Sequence, residues 1–188
     1  MGLQRPYEPK DRDQLLEIAA EAYSDFKGRN HNDPHLADER ATAMYVEWAR
    51  RCVDGEWAEQ ILVTEDGNGY LHGSATFRRI EPVSTVGGVG VYGGGLGGCR
   101  RQRPGAYMGL LQGATQWIYG KGAVTECQTQ SFNFPTIRLY EALAQRFVRA
   151  EHTFHVHHGL LVAPLVALHD RQLQSALPVE VERADVKR

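Results

Sequence analysis

A short basic segment carries the clearest chemical signal in the sequence. Residues 100–107 contain three arginines and lead into a stretch with helical apolar spacing, and no Asp or Glu occurs between Pro82 and Thr125. The first turn of a helix offers unpaired backbone N–H groups and the positive end of the helix dipole. Gly105 allows a bulky group to approach that backbone closely. The segment predicts a phosphate site, with an ordinary solvated basic turn as the alternative.

A second polar constellation lies downstream, where a predicted strand passes into a helix. Asn133 stands where its side chain can cap the helix, and Tyr140 follows seven residues later. Seven residues are two helical turns, so the Tyr140 hydroxyl lies on the same face as the cap, near the strand end. The spacing therefore predicts a shared polar site. The alternative is a buried tyrosine that only packs, as most helical tyrosines do.

The stretch 87–98 is unusual because eight of its twelve residues are glycine. Gly88, Gly90 and Gly93 match the Gly-x-Gly-x-x-Gly dinucleotide pattern by letter. That pattern needs a helix opening at the glycines and an acidic residue about 20 positions later, and the sequence has neither. The glycines therefore predict a loop beside a ligand and argue against a nicotinamide or flavin site of the Rossmann type.

Other catalytic and metal-binding motifs are absent from the sequence. The basic segment lacks the Gly-Lys-Ser/Thr of a P-loop, and no Gly-x-Ser-x-Gly supports a serine hydrolase. Four histidines near residue 155 lack a recognised ligand spacing, so we expect no metal. Three widely spaced cysteines exclude both a disulfide framework and a Cys-x-x-Cys metal site.

Size and charge limit the class of protein. The chain has 188 residues, 42% of them hydrophobic, which suits one packed domain. A formal charge of −2 argues against nucleic-acid binding through bulk positive charge. No apolar run reaches the roughly 20 residues that span a bilayer, and the first residues lack a signal-peptide core. We expect a reduced, cytoplasmic protein without nucleic-acid or membrane partners.

Helical and strand periodicities supply the elements that position these residues. The expected elements are helices at about 11–28, 34–55, 104–121 and 134–145, and strands at 60–64, 70–80, 83–91, 123–128 and up to 154. This order predicts an α/β fold with a mixed, mostly antiparallel sheet flanked by helices. We expect one domain over residues 1–188, with a core at about 5–158 and a C-terminal extension at 160–188.

The sequence resembles the GNAT superfamily of acetyl-CoA-dependent N-acetyltransferases in the order and spacing of its elements. The elements that carry the resemblance are the basic loop that opens a helix, the strand that follows, and the next helix with Asn133, Tyr140 and Glu141. The resemblance covers about 60–154. It departs at two places. Tyr107 stands at the last small position of the loop pattern Gln/Arg-x-x-Gly-x-Gly/Ala, and Ala144 begins a pair that replaces the usual Gly-Phe.

The resemblance implies acetyl-CoA as co-substrate, with its diphosphate on amides at the start of the helix at 104–121. The residues implied in this contact are Gln102, Arg103, Gly105, Ala106, Tyr107 and Met108. The pantetheine arm is expected between the strands at 83–91 and 123–128. Main-chain groups near Val91 would polarise the thioester carbonyl there, and Asn133 would contact the arm or an ordered water.

The resemblance also implies catalytic roles. Tyr140 is expected to be the general acid that protonates the coenzyme A thiolate. The base that deprotonates the acceptor amine is expected to be Glu126, on the preceding strand, or a chain of waters.

Three stretches look most like the branch that acetylates amino groups of nucleotide-linked deoxysugars, such as TDP-fucosamine acetyltransferase: 31–34, the helix with Tyr45 and Trp48, and 148–155. His31 and Asp33 would then hold the sugar. Other acceptors stay open, namely a protein N-terminus, an antibiotic or a polyamine, as does a non-catalytic acyl-CoA-binding or interaction module. The apolar stretch 160–168 is a candidate homodimer interface, or it caps the domain's own core.

Overall fold

The computed structural model describes residues 2–101, 103 and 105–157. The chain divides after Ala150 into two units, and among the described residues all helices and strands lie in the first. The expected extension at 160–188 and the candidate dimer interface at 160–168 lie outside the described residues. Within the part that is described, no helix is both long and apolar enough to cross a membrane.

The described part of the first unit contains five strands and five α-helices. In chain order they are β1 (Leu3–Pro6), α1 (Arg12–Ser24), α2 (Asp38–Val53), β2 (Gln60–Glu65), β3 (Leu71–Arg79), α3 (Glu81–Gly87), β4 (Val91–Cys99), α4 (Ala106–Tyr119), β5 (Val124–Glu126) and α5 (Phe134–Ala142). The strands form one sheet in the order β1-β2-β3-β4-β5. Pairing is antiparallel from β1 to β4 and parallel between β4 and β5. The predicted mixed, mostly antiparallel sheet is confirmed.

Two hydrophobic cores hold the sheet between helices. Helices α1 and α2 bury residues at spacings of three and four, which places them on one helical face. The first core joins these two helices to side chains of the strands. Its buried residues are Leu15, Ile18, Ala19, Tyr45, Ala49, Cys52, Ile61, Val63, Leu71 and Leu96. A second core packs α4 against the sheet through Leu62, Ala75, Phe77, Leu110, Ala114 and Ile118. Because Leu62 alternates with its neighbours, the two cores lie on opposite faces of β2.

The strand expected at 83–91 is wrong, because α3 occupies most of that range. A proline lies in the first turn of α3, where a missing N–H costs nothing, and Gly88 follows its last residue with φ 65°. The next strand begins at Val91 and contains most of the glycine-rich stretch. The expected ligand loop is therefore a strand, β4. No strand follows α5 among the described residues, so the one expected up to 154 is also wrong.

An ion cluster ties β1 to the start of α1 and to β2. The Arg5 guanidinium donates to both carboxylate oxygens of Asp11, at 2.7 and 2.9 Å, and to Glu65 at 2.9 Å. Asp11 is 1% exposed and also accepts the backbone N–H of Glu8. The bond from Arg5 holds the pKa of Asp11 below its usual range. The cluster therefore favours the ionised carboxylate inside the fold.

Replacing this carboxylate by an amide tests the cluster. Asp11→Asn should lower the free energy of unfolding by about 3 kcal/mol, the low end for a broken buried pair, because Glu65 still neutralises Arg5. Since the folded pKa is depressed, the contribution is present above the unfolded pKa and is lost as pH falls. The difference from wild type should shrink below about pH 4. Urea unfolding measures both effects.

The matched control for this prediction is Asp13→Asn. Asp13 is exposed and lies in the first turn of α1, so its replacement should change stability by less than about 0.5 kcal/mol. Equal effects of the two substitutions, or a difference between wild type and Asp11→Asn that does not depend on pH, would contradict the assigned role of Asp11.

Candidate functional site

The sheet opens where β4 leaves β5. Strand β4 pairs with β3 along nearly its whole length, from Tyr92 to Cys99. Its parallel pairing with β5 covers three residues and ends at Gly93, opposite Glu126. Beyond Gly93, no strand of the described residues pairs with the β5 side of β4. An edge of this kind presents main-chain N–H and C=O groups that an extended ligand can bond as an added strand does.

A bulge bends β4 at this opening. Ala75 faces Gly97 and Phe77 faces Gly94, so two residues of β4 oppose the single residue Thr76 of β3. The Thr76 hydroxyl accepts the N–H of Leu96 at 2.8 Å and donates to its carbonyl at 3.1 Å. A bulge bends its strand and increases the twist. The Thr76 side chain thus holds β4 in the bent form.

The opening is part of a cleft of about 870 Å³. Its walls come from α1, α2, β4, α4, α5 and the segment after β5. On the α1 and α2 side the lining is aromatic, with Tyr23, Phe26, Tyr45 and Trp48. The charged residues of the lining are Arg29 and Arg101, and no Asp or Glu lines the cleft among the residues that the structure describes. The cleft therefore has an aromatic wall and two arginines, of which Arg101 pairs with Asp25.

Tyr140 lies in this cleft with two other titratable side chains. Tyr107 on α4 and Cys127, which follows β5, line the same cleft and are the groups whose proximity affects the pKa of Tyr140. Burial, followed by the proximity of Tyr107 and Cys127, raises the pKa of Tyr140 above its usual range. Burial likewise raises the pKa of Tyr107 to about 12 and that of Cys127 to about 11. All three groups are therefore protonated at neutral pH.

The glycines of β4 make room for these side chains. A Cβ added to Gly97 would lie 3.1 Å from Cε2 and from the hydroxyl oxygen of Tyr107. One added to Gly94 would lie 3.1 Å from the sulfur of Cys127, and one added to Gly95 would overlap the Trp57 ring at 2.2 Å. Both faces of the strand are thus approached closely by neighbouring side chains. These close approaches explain why β4 is rich in glycine.

The start of α4 retains the features expected of a phosphate site. Gly105 occupies the N-cap with φ 88°, and a Cβ there would meet no atom within 4 Å. The backbone N–H of Tyr107 points to the sulfur of Cys99, and Ala106 donates to the Arg103 carbonyl at 3.2 Å. Met108 follows in the same first turn. Two neighbours of this turn, residues 102 and 104, lie outside the described residues, so the expected contact of Gln102 does too.

The arginines of the basic segment do not form one free patch. Arg100 donates to Glu17 at 2.9 Å, to Glu21 at 3.3 Å and to the Leu71 carbonyl at 2.9 Å. Arg101 pairs with Asp25 at 2.5 Å. Acidic residues that are distant in sequence therefore neutralise both cations. Arg103 is exposed, and it remains the arginine of this segment best placed to meet an anion.

His31 and Asp33 shape the loop between α1 and α2. His31 accepts the N–H of Gly28 at 3.2 Å and lies 3.2 Å from the hydroxyl of Thr42, while its ring stacks on Tyr45. Asp33 is buried and accepts the N–H of His35 at 2.9 Å. Neither is among the described residues that line the cleft. Their visible contacts support the wall that carries Tyr45.

The remaining expected site residues divide between the cleft and its surroundings. Asn133 lines the cleft, caps α5 by accepting the N–H of Thr136 at 3.4 Å, and donates to the Thr129 hydroxyl at 3.0 Å. Val91 lies outside the cleft lining, and both of its main-chain groups are bonded, to Ser84 and Ile80.

Glu126 is likewise outside the cleft lining. Its carboxylate accepts a bond from Arg149 at 2.5 Å, so this expected base is held in an ion pair. Sequence reasoning assigned no role to Tyr23 and Cys127. The available signal for the aromatic wall was two pairs of aromatic residues, each three residues apart in the sequence: Tyr23 with Phe26, and Tyr45 with Trp48.

Part of the sequence is similar to a curated protein. It is the spore coat polysaccharide biosynthesis protein SpsD of Bacillus subtilis (strain 168), 34% identical over 70 residues. The match covers 36% of this chain and 24% of that protein, so the chain spans about a quarter of its relative's length. No protein-family model matches the chain.

Several solved structures that are similar to this chain are named as acetyltransferases. A probable acetyltransferase is similar with a TM-score of 0.62 and 14% identity, over 82% of this chain and 98% of that one. A ribosomal-protein-alanine N-acetyltransferase from Brucella melitensis gives 0.61 and 14%, over 84% and 100%. NAA60 of Arabidopsis thaliana, solved in complex with acetyl-CoA, gives 0.58 and 19%, over 85% and 92%. The chain therefore has the fold of the GNAT acetyltransferases.

The floor of the cleft can be tested at Gly95. Gly95→Ala should lower the free energy of unfolding by about 1–3 kcal/mol, because the added methyl overlaps the Trp57 ring, which packs against Trp48 and Arg78. Gly67→Ala is the control, since a Cβ there meets nothing within 4 Å. Urea unfolding of both variants should separate them, and equal stabilities would contradict the close approach of Trp57.

Proposed function

We propose that this chain is an acetyl-CoA-dependent N-acetyltransferase, which transfers the acetyl group to a primary amine. The observation that carries the proposal is the cleft itself: an open main-chain edge on β4 with the Tyr140 hydroxyl beside it. The likeness of the fold to acetyltransferases, one of them solved with acetyl-CoA, supports it. Fold alone does not fix an activity, so the proposal rests on the groups in the cleft.

The residues present fit acetyl-CoA. The start of α4, with the exposed Arg103, suits a diphosphate because a Cβ on Gly105 would meet no atom within 4 Å and no acidic residue lies in the first turn. The unpaired side of β4 from Gly94 to Cys99 suits the amides of the pantetheine arm. This moves the expected arm site from the region of Val91 to the later half of β4.

Acetyl transfer breaks the carbonyl carbon–sulfur bond of the thioester and forms a carbon–nitrogen bond. Bound acetyl-CoA supplies the acetyl group and leaves as the thiol. The sulfur gains one proton and the amine nitrogen loses one. Tyr140 is the proposed donor to the sulfur, because it is a protonated hydroxyl inside the cleft.

The amine proton has no acidic side chain to receive it among the described residues of the cleft. Glu126 is outside the lining and pairs with Arg149. Of the two expected routes, the chain of waters is therefore favoured over direct transfer to Glu126. Asn133 and Thr129, both in the lining, offer polar groups along which such waters bind.

The acceptor that best fits the cleft has a ring and a negative charge. Tyr23, Phe26, Tyr45 and Trp48 offer faces for a ring. Burial raises the pKa of Tyr45 and the positive charge of Arg29 opposes the rise, so the guanidinium lies near this aromatic wall. We therefore propose an amino group on a nucleotide-linked deoxysugar as the acceptor. The polysaccharide role of the curated relative supports this choice. A polyamine fits poorly, because no Asp or Glu is among the described residues that line the cleft.

Removing the Tyr140 hydroxyl tests the catalytic assignment. Tyr140→Phe should lower kcat on the order of 100-fold, the usual worth of a general acid, and should leave acetyl-CoA affinity within about twofold. Free thiol release measures kcat. As the binding control, acetyl-CoA at about 100 times its Kd should stabilise both proteins against unfolding by about 2.7 kcal/mol. An unchanged kcat would remove Tyr140 as the acid, and no stabilisation of wild type would remove the cofactor.

A panel of amines tests the acceptor. With acetyl-CoA present, a TDP-linked amino-deoxysugar should be acetylated with a higher kcat/KM than spermidine or a peptide with an N-terminal alanine. Arg29→Ala should raise KM for the sugar nucleotide about tenfold, the worth of one charged hydrogen bond. Arg40→Ala, an exposed arginine of α2, is the matched control. Preference for spermidine, or equal effects of the two arginines, would contradict the proposed acceptor.

A further inference from the structure

Tyr23 joins the end of α1 to the open part of β4. Its hydroxyl donates to the Gly97 carbonyl at 2.8 Å, and the residue lines the cleft. Burial raises the pKa of Tyr23 above its usual range, so the hydroxyl stays protonated at neutral pH and can donate this bond. The bond has no part in the proton transfers described above.

The bonded carbonyl lies on the open side of β4. Arg100 donates its N–H to the His72 carbonyl on β3 at 2.8 Å, at the end of the ladder between the two strands. Bonded and non-bonded pairs alternate along an antiparallel ladder, so the main-chain groups of Gly97, three residues before Arg100, point away from β3. Tyr23 therefore holds the strand at the edge proposed for the pantetheine arm.

The open part of β4 needs support from side chains because most of its residues are glycine. Four of the six residues at 94–99 are glycine, and glycine loses more conformational freedom on ordering than any other residue. On the β3 side, the Thr76 hydroxyl makes two bonds to Leu96. On the open side, Tyr23 bonds the next residue, Gly97. Two side chains thus hold adjacent residues of the strand from opposite sides.

Tyr23 is itself held in place by its neighbours. Its ring stacks on Tyr45, with ring centroids 4.3 Å apart and planes 2° apart. Its backbone carbonyl accepts the Thr42 hydroxyl at 3.3 Å. The Cβ of Ala22, the preceding residue, lies 2.8 Å from the position of a Cβ added to Gly98, so the end of α1 packs directly on the strand. The hydroxyl of a ring fixed in this way anchors β4.

We propose that Tyr23 is a positioning residue for the coenzyme: its hydroxyl holds the open edge of β4 at Gly97 in the form that receives the pantetheine arm. This inference rests on the proposed function. A carbonyl oxygen has two lone pairs, so the Gly97 carbonyl can accept a pantetheine N–H beside the Tyr23 hydroxyl. An edge that is ordered before binding spares the ligand the cost of ordering it. Tyr23 thus acts through the strand on the affinity for acetyl-CoA.

Removing only the hydroxyl tests the inference in the full chain. Tyr23→Phe keeps the ring and its stacking on Tyr45. It should raise the Kd of acetyl-CoA, measured by isothermal titration calorimetry, about fivefold, the usual net worth of one hydrogen bond. At saturating acetyl-CoA, kcat should stay within about twofold, because the bound arm then orders the edge itself. Tyr92→Phe, on the part of β4 that pairs with β5, is the matched control and should bind acetyl-CoA as wild type does.

Amide hydrogen exchange shows whether the effect arises in β4. Without ligand, Tyr23→Phe should speed exchange about fivefold at residues 94–99 and leave exchange in the two hydrophobic cores unchanged. Saturating acetyl-CoA should remove this difference from wild type. Thr76→Val, which loses both bonds to Leu96, is the positive control and should speed exchange at the same residues.

Three results would overturn the inference while the proposed function stands. A wild-type Kd and wild-type exchange at 94–99 in Tyr23→Phe would show that the bond does not order the edge. A lower Kd would show that the hydroxyl competes with the coenzyme for the Gly97 carbonyl. Exchange faster by one factor throughout the chain would show a general role in stability. If wild type transfers no acetyl group and binds no acetyl-CoA, the proposed function fails, and the inference fails with it.

Discussion

Beyond Gly93, strand β4 continues without β5 beside it, and most of its residues there have no side chain. This constraint determines the rest of the site. A strand without side chains leaves its main chain accessible and lets neighbouring groups approach from both faces. Thr76 fixes the bend with two bonds to Leu96. The cleft therefore depends both on the missing side chains of β4 and on the neighbouring groups that approach it.

Around this strand, three helices each supply a tyrosine hydroxyl. Tyr23 comes from α1, Tyr107 from α4 and Tyr140 from α5, and all three line the cleft. Burial raises the pKa of each phenol, so each stays a donor at neutral pH. A cleft of neutral donors suits a reaction in which negative charge develops on a leaving atom. In the proposed reaction, the absence of a carboxylate from the described lining leaves the amine proton to water.

Local patterns in the sequence were sufficient to predict several elements. Asn133 caps its helix as expected, because a cap is a short-range interaction of a side chain with the next turn. The apolar residues of α4 recur at helical spacing for the same reason, and Leu110, Leu111, Ala114 and Ile118 are buried. The loop predicted for the glycine-rich stretch was wrong. Glycine weakens an isolated strand, so the sequence pattern argued against the strand that forms there. Only neighbours distant in sequence, such as Trp57 and Tyr107, show why glycine is needed there.

The ion pairs of the basic segment could not be predicted from sequence for the same reason, because their partners are distant in the chain. Arg100 and Arg101 looked free because no acidic residue lies near them in sequence. Glu17, Glu21 and Asp25, on α1 and just after it, nevertheless neutralise them.

The most direct test of the central claim is a crystal structure with acetyl-CoA. We expect the pantetheine amides on the main chain of residues 94–99 and the sulfur within hydrogen-bond reach of Tyr140. A coenzyme bound elsewhere would contradict it.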